Sequence, residues 1–262
     1  MEQHEIVQVL NSRHFIENYE PPHENILLSI ENKNIGSAGN FVIISGLPKA
    51  GKSTFLNAFI SSNFKKEEIF GIELITDQKI GYFDTESNQT DFYNNLKRIK
   101  YMAKIKTFPV NFNAYNTRID STETNKILIE AYILVHHPKI VFIDGLLDLL
   151  NNYNDEKESR ELIVWLKKIT SEYNILIIGV VHTGKKDNHT LGHFGSMVDR
   201  YAQSVLEVIK DKENNIFTLK SKYLRSANDF NDINIMYDEN INKYMQVSVT
   251  LPPPLAQKKR TK

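Results

Sequence analysis

Short apolar runs alternate with longer amphipathic segments along the chain as far as residue 203. The apolar runs predict strands at 41–45 (FVIIS), 79–85 (KIGYFDT), 108–115 (FPVNFNAY), 139–144 (KIVFID) and 174–183 (NILIIGVVHT). The segments between them carry apolar residues at helical spacing, and they predict helices at about 52–62, 88–105, 122–137 and 156–173. Strands that alternate with helices form βαβ units. The pattern therefore predicts an α/β fold with a mainly parallel central sheet flanked by helices.

Beyond residue 203 the pattern changes, and strand follows strand. Turn sequences such as DKENN and DENIN separate the apolar runs at 204–210, 215–223, 232–238 and 243–249, and these turns suit hairpins. We therefore expect antiparallel C-terminal strands at the edge of the sheet. Residues 21–40 predict a short hairpin before the first strand. The predicted organisation is an N-terminal extension (1–26), one domain (27–248) and a basic, disordered tail (249–262).

The segment SGLPKAGKST (45–54) joins the first strand to the first helix. Gly46, four further residues, and then Gly51, Lys52 and Ser53 have the spacing of a phosphate-binding loop, in the strand-to-helix setting that this loop requires. Glycines let the backbone approach a polyphosphate, while backbone N–H groups and the positive end of the helix face its charge. Lys52 is expected to reach the β- and γ-phosphates, and Ser53 to bind Mg²⁺. The predicted ATP-binding residues are Gly46, Leu47, Pro48, Lys49, Ala50, Gly51, Lys52, Ser53 and Thr54.

Two alternatives apply to this loop. The first is a glycine-rich turn with a chance lysine, which the matching strand and helix on either side disfavour. The second concerns Lys49, which is either a second phosphate contact or a solvated side chain. The sequence predicts a nucleoside triphosphate site and favours ATP, but many families bind this ligand.

Composition narrows the class of protein. A chain of 262 residues is long enough for one α/β domain. Its 32 basic and 32 acidic residues cancel, so that only a local patch could attract nucleic acid. The lack of cysteine excludes disulfides and cysteine-ligated zinc and fits a reducing compartment. Because no apolar run has the length of a membrane span and the N-terminus is acidic, we expect a cytoplasmic protein without membrane contact.

A carboxylate follows the apolar strand KIVFIDG. Asp144 ends this strand in the manner of a Walker B motif, whose carboxylate orients a water molecule bound to Mg²⁺. The predicted metal-binding pair is therefore Ser53 and Asp144. The alternative is that Asp144 only caps the next turn. Asp148, one turn further on, is expected to be structural or to lie at the surface.

A second acidic group lies in GYFDTESNQTD. Glu86 falls at or just beyond the end of the strand, where it can accept a proton from the water that attacks the γ-phosphate. Asp84, two residues earlier and on the same strand face, is expected to support it. In the alternative reading, DTES caps the following helix, because Asp, Thr and Ser are all common helix caps.

A third buried strand, NILIIGVVHT, has His182 at its end. A neutral polar side chain at this point can sense the γ-phosphate and transmit its presence to the next loop. A lone histidine with a purely structural role is the alternative.

These segments, taken in order, resemble the RecA-like ATPases and, within them, hexameric helicases of the RepA and DnaB kind. The resemblance covers about residues 27–245 and rests on GLPKAGKST, YFDTES, VFIDG, VVHTGKK and LKSKYLRSA. It implies that Glu86 activates water, that His182 is the nucleotide switch, and that the protein forms a hexameric ring. Basic residues after a later strand act as fingers on the neighbour's γ-phosphate in this family, and the corresponding candidates here are Lys220, Lys222 and Arg225. We expect the protein to differ from DnaB in lacking a large N-terminal domain. Its Lys-Ser-Lys run, with the arginine three residues later, departs from the usual finger pattern.

The resemblance also implies single-stranded DNA as a partner. The loop after His182 contains Lys185 and Lys186 among glycines, which suits flexible contacts with backbone phosphates. The loop after the Walker B strand is acidic and does not favour such contacts. Two functions stay open: an ATP-driven helicase or replication protein, and a regulatory ATPase that switches assembly with a protein partner without moving DNA.

Overall fold

The computed structural model of the chain describes residues 3–14, 16–20, 23–65, 67–184, 192–239 and 243–248. Its strands are β1 (Ile26–Ile30), β2 (Lys33–Ser37), β3 (Phe41–Gly46), β4 (Ile72–Leu74), β5 (Ile80–Asp84), β6 (Phe112–Asn116), β7 (Ile140–Asp144), β8 (Leu176–His182), β9 (Ser204–Asp211), β10 (Ile216–Leu224), β11 (Ile233–Asp238) and β12 (Lys243–Gln246). Its helices are α1 (Gln3–Ser12), α2 (Lys52–Lys65), α3 (Gln89–Ala103), α4 (Thr122–His136), α5 (Glu156–Tyr173) and α6 (Gly192–Tyr201), and a 3₁₀ turn spans Leu146–Leu149.

Within the described residues, nine strands form one sheet in the order β12-β11-β10-β9-β3-β8-β7-β5-β6. The strands from β9 to β6 in this order are parallel, whereas β10, β11 and β12 are added as antiparallel strands at one edge. Both parts of the predicted fold class, the mainly parallel central sheet and the antiparallel C-terminal strands, are confirmed. In the part of the chain that the structure describes, each helix is too short or too polar to cross a bilayer.

A second sheet contains β2, β1 and β4 in that order, all antiparallel. The β1–β2 hairpin confirms the prediction for residues 21–40. Strand β4 and the helices α1 and α6 were not predicted from the sequence. Helix α1 has no buried residue, whereas α6 packs on α5 and buries Phe194 and Val198.

Apolar cores lie on both faces of the central sheet. Strands β3, β5 and β7 are buried at every residue, which explains their uninterrupted apolar sequences. One core includes Phe55 and Phe59 of α2, and the other includes Leu162 and Leu166 of α5.

The strand order determines where the polar strand ends meet. Strands β3, β8, β7 and β5 are consecutive neighbours and run parallel, so that their carboxyl ends open on the same edge of the sheet. Ligands of open α/β sheets bind at this edge. The residues singled out by the sequence at the ends of these strands are thereby brought together.

Candidate nucleotide-binding and hydrolysis site

The phosphate loop turns sharply between β3 and α2. Lys49 and Gly51 have φ angles of 64° and 96°, in the left-handed region that favours glycine. Gly46 lies so close to β9 that an added Cβ would be 2.5 Å from the carbonyl oxygen of Val208. The loop therefore depends on backbone conformations and a close approach that a side chain would obstruct, and α2 begins directly after it at Lys52.

The Lys52 side chain is folded back over the loop. Its Nζ donates to the carbonyl oxygens of Gly46 and Leu47 at 3.1 and 2.9 Å, and it lies 3.0 Å from Nδ1 of His182. Burial lowers the pKa of Lys52, and the nearby carboxylates of Glu86 and Asp144 oppose that shift. These contacts hold the ammonium group at the mouth of the loop.

His182 bridges Lys52 and Glu86. An ammonium group only donates hydrogen bonds, so Nδ1 of His182 must accept and carries no hydrogen. Nε2 then carries the hydrogen and donates it to Oε1 of Glu86 at 2.9 Å. The imidazole thus links the two side chains, and the hydrogen bond from His182 lowers the pKa of Glu86. Glu86 is thus ionised and able to accept a proton.

Ser53 and Asp144 meet as the sequence predicted. The Ser53 hydroxyl donates to Oδ2 of Asp144 at 2.9 Å, and Asp144 is buried. Burial raises the pKa of Asp144 to about 7, and the charge of Asp84 adds to the shift. Asp144 does not cap the following 3₁₀ turn, which has Gly145 at its N-terminus and no side-chain cap.

Asp84 supports the turn that carries Glu86. Its Oδ1 accepts the backbone N–H groups of Glu86 at 3.1 Å and Ser87 at 2.7 Å. Burial raises the pKa of Asp84, and these N–H groups oppose the shift. The side-chain cap of α3 is Asn88, which accepts from the Asp91 N–H, so the reading of DTES as the helix cap is wrong.

The sequence pattern did not reveal the role of Thr85. This buried side chain connects β5 to the segment after β7, because its hydroxyl is 2.7 Å from Oδ2 of Asp148 and accepts the Gly145 N–H at 2.9 Å. Asp148 therefore has the structural role expected of it. A hydroxyl between two acidic residues at a strand end was the signal available in the sequence.

Two comparisons relate this fold and site to known proteins. A protein family described as "AAA domain" matches residues 20–188. The chain belongs to this AAA-domain family. Its fold is also similar to that of a KaiC-like protein from the hyperthermophilic archaeon Pyrococcus horikoshii OT3, with a TM-score of 0.56 and 14% sequence identity over 81% of this chain and 91% of that one. No curated protein sequence matches the chain.

Family and fold together confirm the prediction of a RecA-like P-loop ATPase. ATP binding follows from the family, and its members hydrolyse ATP in general. The helicase type, DNA as a partner and the assignment of each site residue stay predictions.

The residues of this AAA-domain site fit a magnesium nucleotide. Among the described residues, no three His, Cys, Asp or Glu side chains are grouped so as to hold a metal ion. Mg²⁺ is typically held by one or two protein oxygens, water molecules and the phosphates of its substrate, rather than by a cage of protein ligands. The hydroxyl of Ser53 and the carboxylate of Asp144, next to the phosphate loop, supply that minimal set.

Each predicted finger residue has a partner within its own chain. Lys220 pairs with Glu207 at 3.1 Å and Lys222 pairs with Asp199 at 3.0 Å. Nη2 of Arg225 donates to the carbonyl oxygen of Arg200 at 2.6 Å. Lys220 and Lys222 lie on β10, and Arg225 follows that strand directly. Lys185 and Lys186, the predicted DNA contacts, lie outside the described residues.

Proposed function

We propose that this AAA-domain protein is an ATP-driven motor that acts on single-stranded DNA in the cytoplasm, as a RepA-like helicase or a replication or mobilisation ATPase. The observation that carries the proposal is the hydrogen-bonded chain Lys52–His182–Glu86. It joins the phosphate-binding lysine, the end of β8 and the candidate general base.

Hydrolysis needs a water molecule activated beside the γ-phosphate. Glu86 is ionised and half exposed, and its turn is held by Asp84, so that it can accept the proton of an attacking water. Lys52 is expected to exchange its carbonyl contacts for the phosphates, since these offer full negative charge. Ser53 and Asp144 would hold Mg²⁺, which neutralises charge on the phosphates when bound.

The same chain offers a route from nucleotide to DNA. If Lys52 turns toward the phosphates, His182 loses the donor at its Nδ1 and is free to respond to the γ-phosphate. His182 is the last residue of β8, and Lys185 and Lys186 follow three and four residues later. Single-stranded DNA bound by these lysines would therefore lie only a few residues along the chain from His182, through which it could influence the hydrolysis site.

A ring assembly is the second part of the proposal. Of the three finger candidates, Arg225 is exposed and contacts a backbone carbonyl, whereas Lys220 and Lys222 are each paired with a carboxylate. A planar guanidinium is also the better ligand for a phosphoryl group. We therefore favour Arg225 as the group that reaches the neighbouring subunit's nucleotide in a homo-oligomer, with a hexamer as the expected form.

A regulatory ATPase that switches assembly with a protein partner is the second candidate. The ion pairs of Lys220 and Lys222 within their own chain favour it, because they leave fewer groups for a neighbouring site. The two functions differ in their response to DNA. Only the motor predicts that single-stranded DNA accelerates ATP turnover.

The test is steady-state ATP hydrolysis at low salt with and without single-stranded DNA. The parent should be stimulated, and Lys185→Ala/Lys186→Ala should lose the stimulation and the steep salt dependence while keeping basal turnover. A matched control, Lys157→Ala/Lys168→Ala, removes two lysines from α5 and should behave like the parent. If DNA still stimulates the Lys185/Lys186 variant, these two residues do not belong to the DNA site. A parent that does not respond to DNA would favour the regulatory ATPase.

A further inference from the structure

A large cavity lies between the end of α2, the second half of α3 and the strands β11 and β12. Its volume is about 580 Å³, which is within the range of small-molecule and cofactor sites. Helices α2 and α3 run side by side in the same direction, since Asn57 contacts Asn95 and Ser61 donates to the carbonyl oxygen of Ile99. Lys65, at the far end of α2, is thirteen residues past Lys52, or about 20 Å along the helix axis.

Cations dominate the lining of this cavity. Five basic residues and one acidic residue line it, and the basic ones are Lys65, Lys97, Arg98, Lys104 and Lys243. Lys65 is paired with Glu67 at 2.8 Å, but the other four form no ion pair with any residue the structure describes. Since the chain as a whole has equal numbers of basic and acidic residues, this is a local concentration of positive charge.

Aromatic rings lie among the cations. Three tyrosines line the cavity, and they are Tyr101, Tyr237 and Tyr244. Tyr101 is 54% exposed, and Tyr237 and Tyr244 meet edge to face with their ring centroids 5.1 Å apart. Lys97 and Tyr101 are four residues apart on one face of α3, and Lys104 caps the C-terminus of this helix.

Cations and aromatic rings that line one cavity together match one ligand chemistry. Single-stranded nucleic acid presents a chain of phosphates and unpaired bases, and proteins bind it by combining a basic groove with stacking on aromatic rings. A lone phosphate would use neither the volume nor the tyrosines, and an acidic peptide would use only the cations. We propose that this cavity, which we call the α3 groove, binds a short stretch of single-stranded nucleic acid.

The α3 groove also contacts the phosphate loop at its near end. The hydroxyl of Thr54, in the first turn of α2, donates to the Tyr244 hydroxyl at 3.4 Å. Tyr244 meets Phe217 edge to face at 6.0 Å, and Phe217 packs directly over Gly51. A strand bound against Tyr244 would therefore touch residues that support the phosphate loop, independently of the loop that carries Lys185 and Lys186.

The first test measures binding of a fluorescently labelled oligothymidylate without nucleotide, over a range of salt concentrations. Lys97→Glu/Lys104→Glu should reduce the slope of log affinity against log salt by about 1.4, or about 0.7 for each phosphate that is no longer neutralised. Tyr101→Ala should weaken binding about 5- to 150-fold, the effect of losing one stacked base. Because these side chains are exposed, the thermal melting of the variants should match the parent.

A matched control makes the same change in charge elsewhere. Lys126→Glu/Lys168→Glu reverses two cations on α4 and α5 and should leave the slope within error of the parent. If this control loses binding to the same extent as Lys97→Glu/Lys104→Glu, the effect is one of net charge and the α3 groove is not the site. Equal binding by parent and groove variants would overturn the proposal in the same way.

The second test locates the strand directly. A bromouracil-containing oligonucleotide, irradiated in the complex, should cross-link to the peptide that contains Tyr101 or to the one that contains Tyr244. Displacement by free thymidine monophosphate at an equal concentration of nucleotide units would instead identify a mononucleotide site. If polyglutamate binds the groove and no cross-link to DNA forms, the partner is an acidic protein. Either of these results would overturn the proposal of a nucleic-acid strand.

The outcome is separate from that of the proposed motor function. DNA-stimulated ATP turnover in the parent, with oligothymidylate binding unchanged in Lys97→Glu/Lys104→Glu, would support the motor and contradict the groove. Cross-linking at Tyr101 in a parent whose turnover ignores DNA would support the groove and contradict the motor.

Discussion

Replacement of Glu86 by glutamine isolates the chemical step of the proposed mechanism. Glutamine keeps the size of the side chain and an oxygen that can accept the 2.9 Å hydrogen bond from Nε2 of His182, but it cannot accept a proton. A positioned general base contributes roughly 10²- to 10⁴-fold to the rate, which corresponds to about 2.7 to 5.4 kcal/mol in the activation free energy. Folding stability should change little, because the Glu86 side chain is 51% exposed and such pairs contribute about 1 kcal/mol or less.

The assay pairs single-turnover ATP hydrolysis with the binding of a fluorescent ATP analogue. Glu86→Gln should bind the analogue as the parent does and hydrolyse ATP at least a hundredfold more slowly, by roughly the lower limit for a general base. Glu123→Gln, which neutralises an exposed carboxylate on α4, is the matched control and should hydrolyse ATP at the parental rate. Full turnover in Glu86→Gln would refute the role of Glu86 as the base. Loss of binding instead of turnover would indicate that its charge acts through His182 and Lys52.

Three further predictions concern binding, assembly and packing. Lys52→Ala should abolish nucleotide binding or turnover, as measured with the same analogue and assay, and parental activity would contradict the phosphate-loop assignment. A mixture of Lys52→Ala and Arg225→Ala chains should recover turnover that neither chain has alone, because a mixed interface can combine an intact phosphate loop with an intact finger. If no turnover is recovered, and turnover per subunit does not depend on protein concentration, each subunit has a self-contained site. Gly81→Ala should lower the free energy of unfolding in urea by about 1 to 3 kcal/mol, because the new Cβ would lie 2.4 Å from the buried Tyr132 ring. Unchanged stability would show that this ring can move aside.

The central strands could be predicted because burial on both faces makes their sequences uninterrupted and apolar. The elements that were missed depend on contacts that no local pattern records. Strand β4 has three residues and exists through its pairing with β1, where Leu74 lies opposite Leu28. Helix α6 contains Gly192 and Gly195, which lower helix propensity, and it is stabilised by packing on α5.

The same distinction applies to the site. Lys52, Ser53, Asp144, Glu86 and His182 were predicted as site residues because each ends or follows an apolar strand in a recognisable motif. Their contacts required the order of strands in the sheet. The register that places Gly46 beside His182 brings the phosphate loop to the end of β8. Sequence spacing alone gives neither this neighbour relation nor the hydrogen bond from His182 to Glu86.

The decisive measurement is the rate of Mg²⁺-dependent ATP hydrolysis by the purified parent chain, with and without single-stranded DNA at low salt. We predict turnover that requires Lys52 and rises when DNA is added. Turnover that is unaffected by DNA would contradict the motor and leave a regulatory ATPase. The absence of Lys52-dependent turnover under every condition would contradict the hydrolysis site itself.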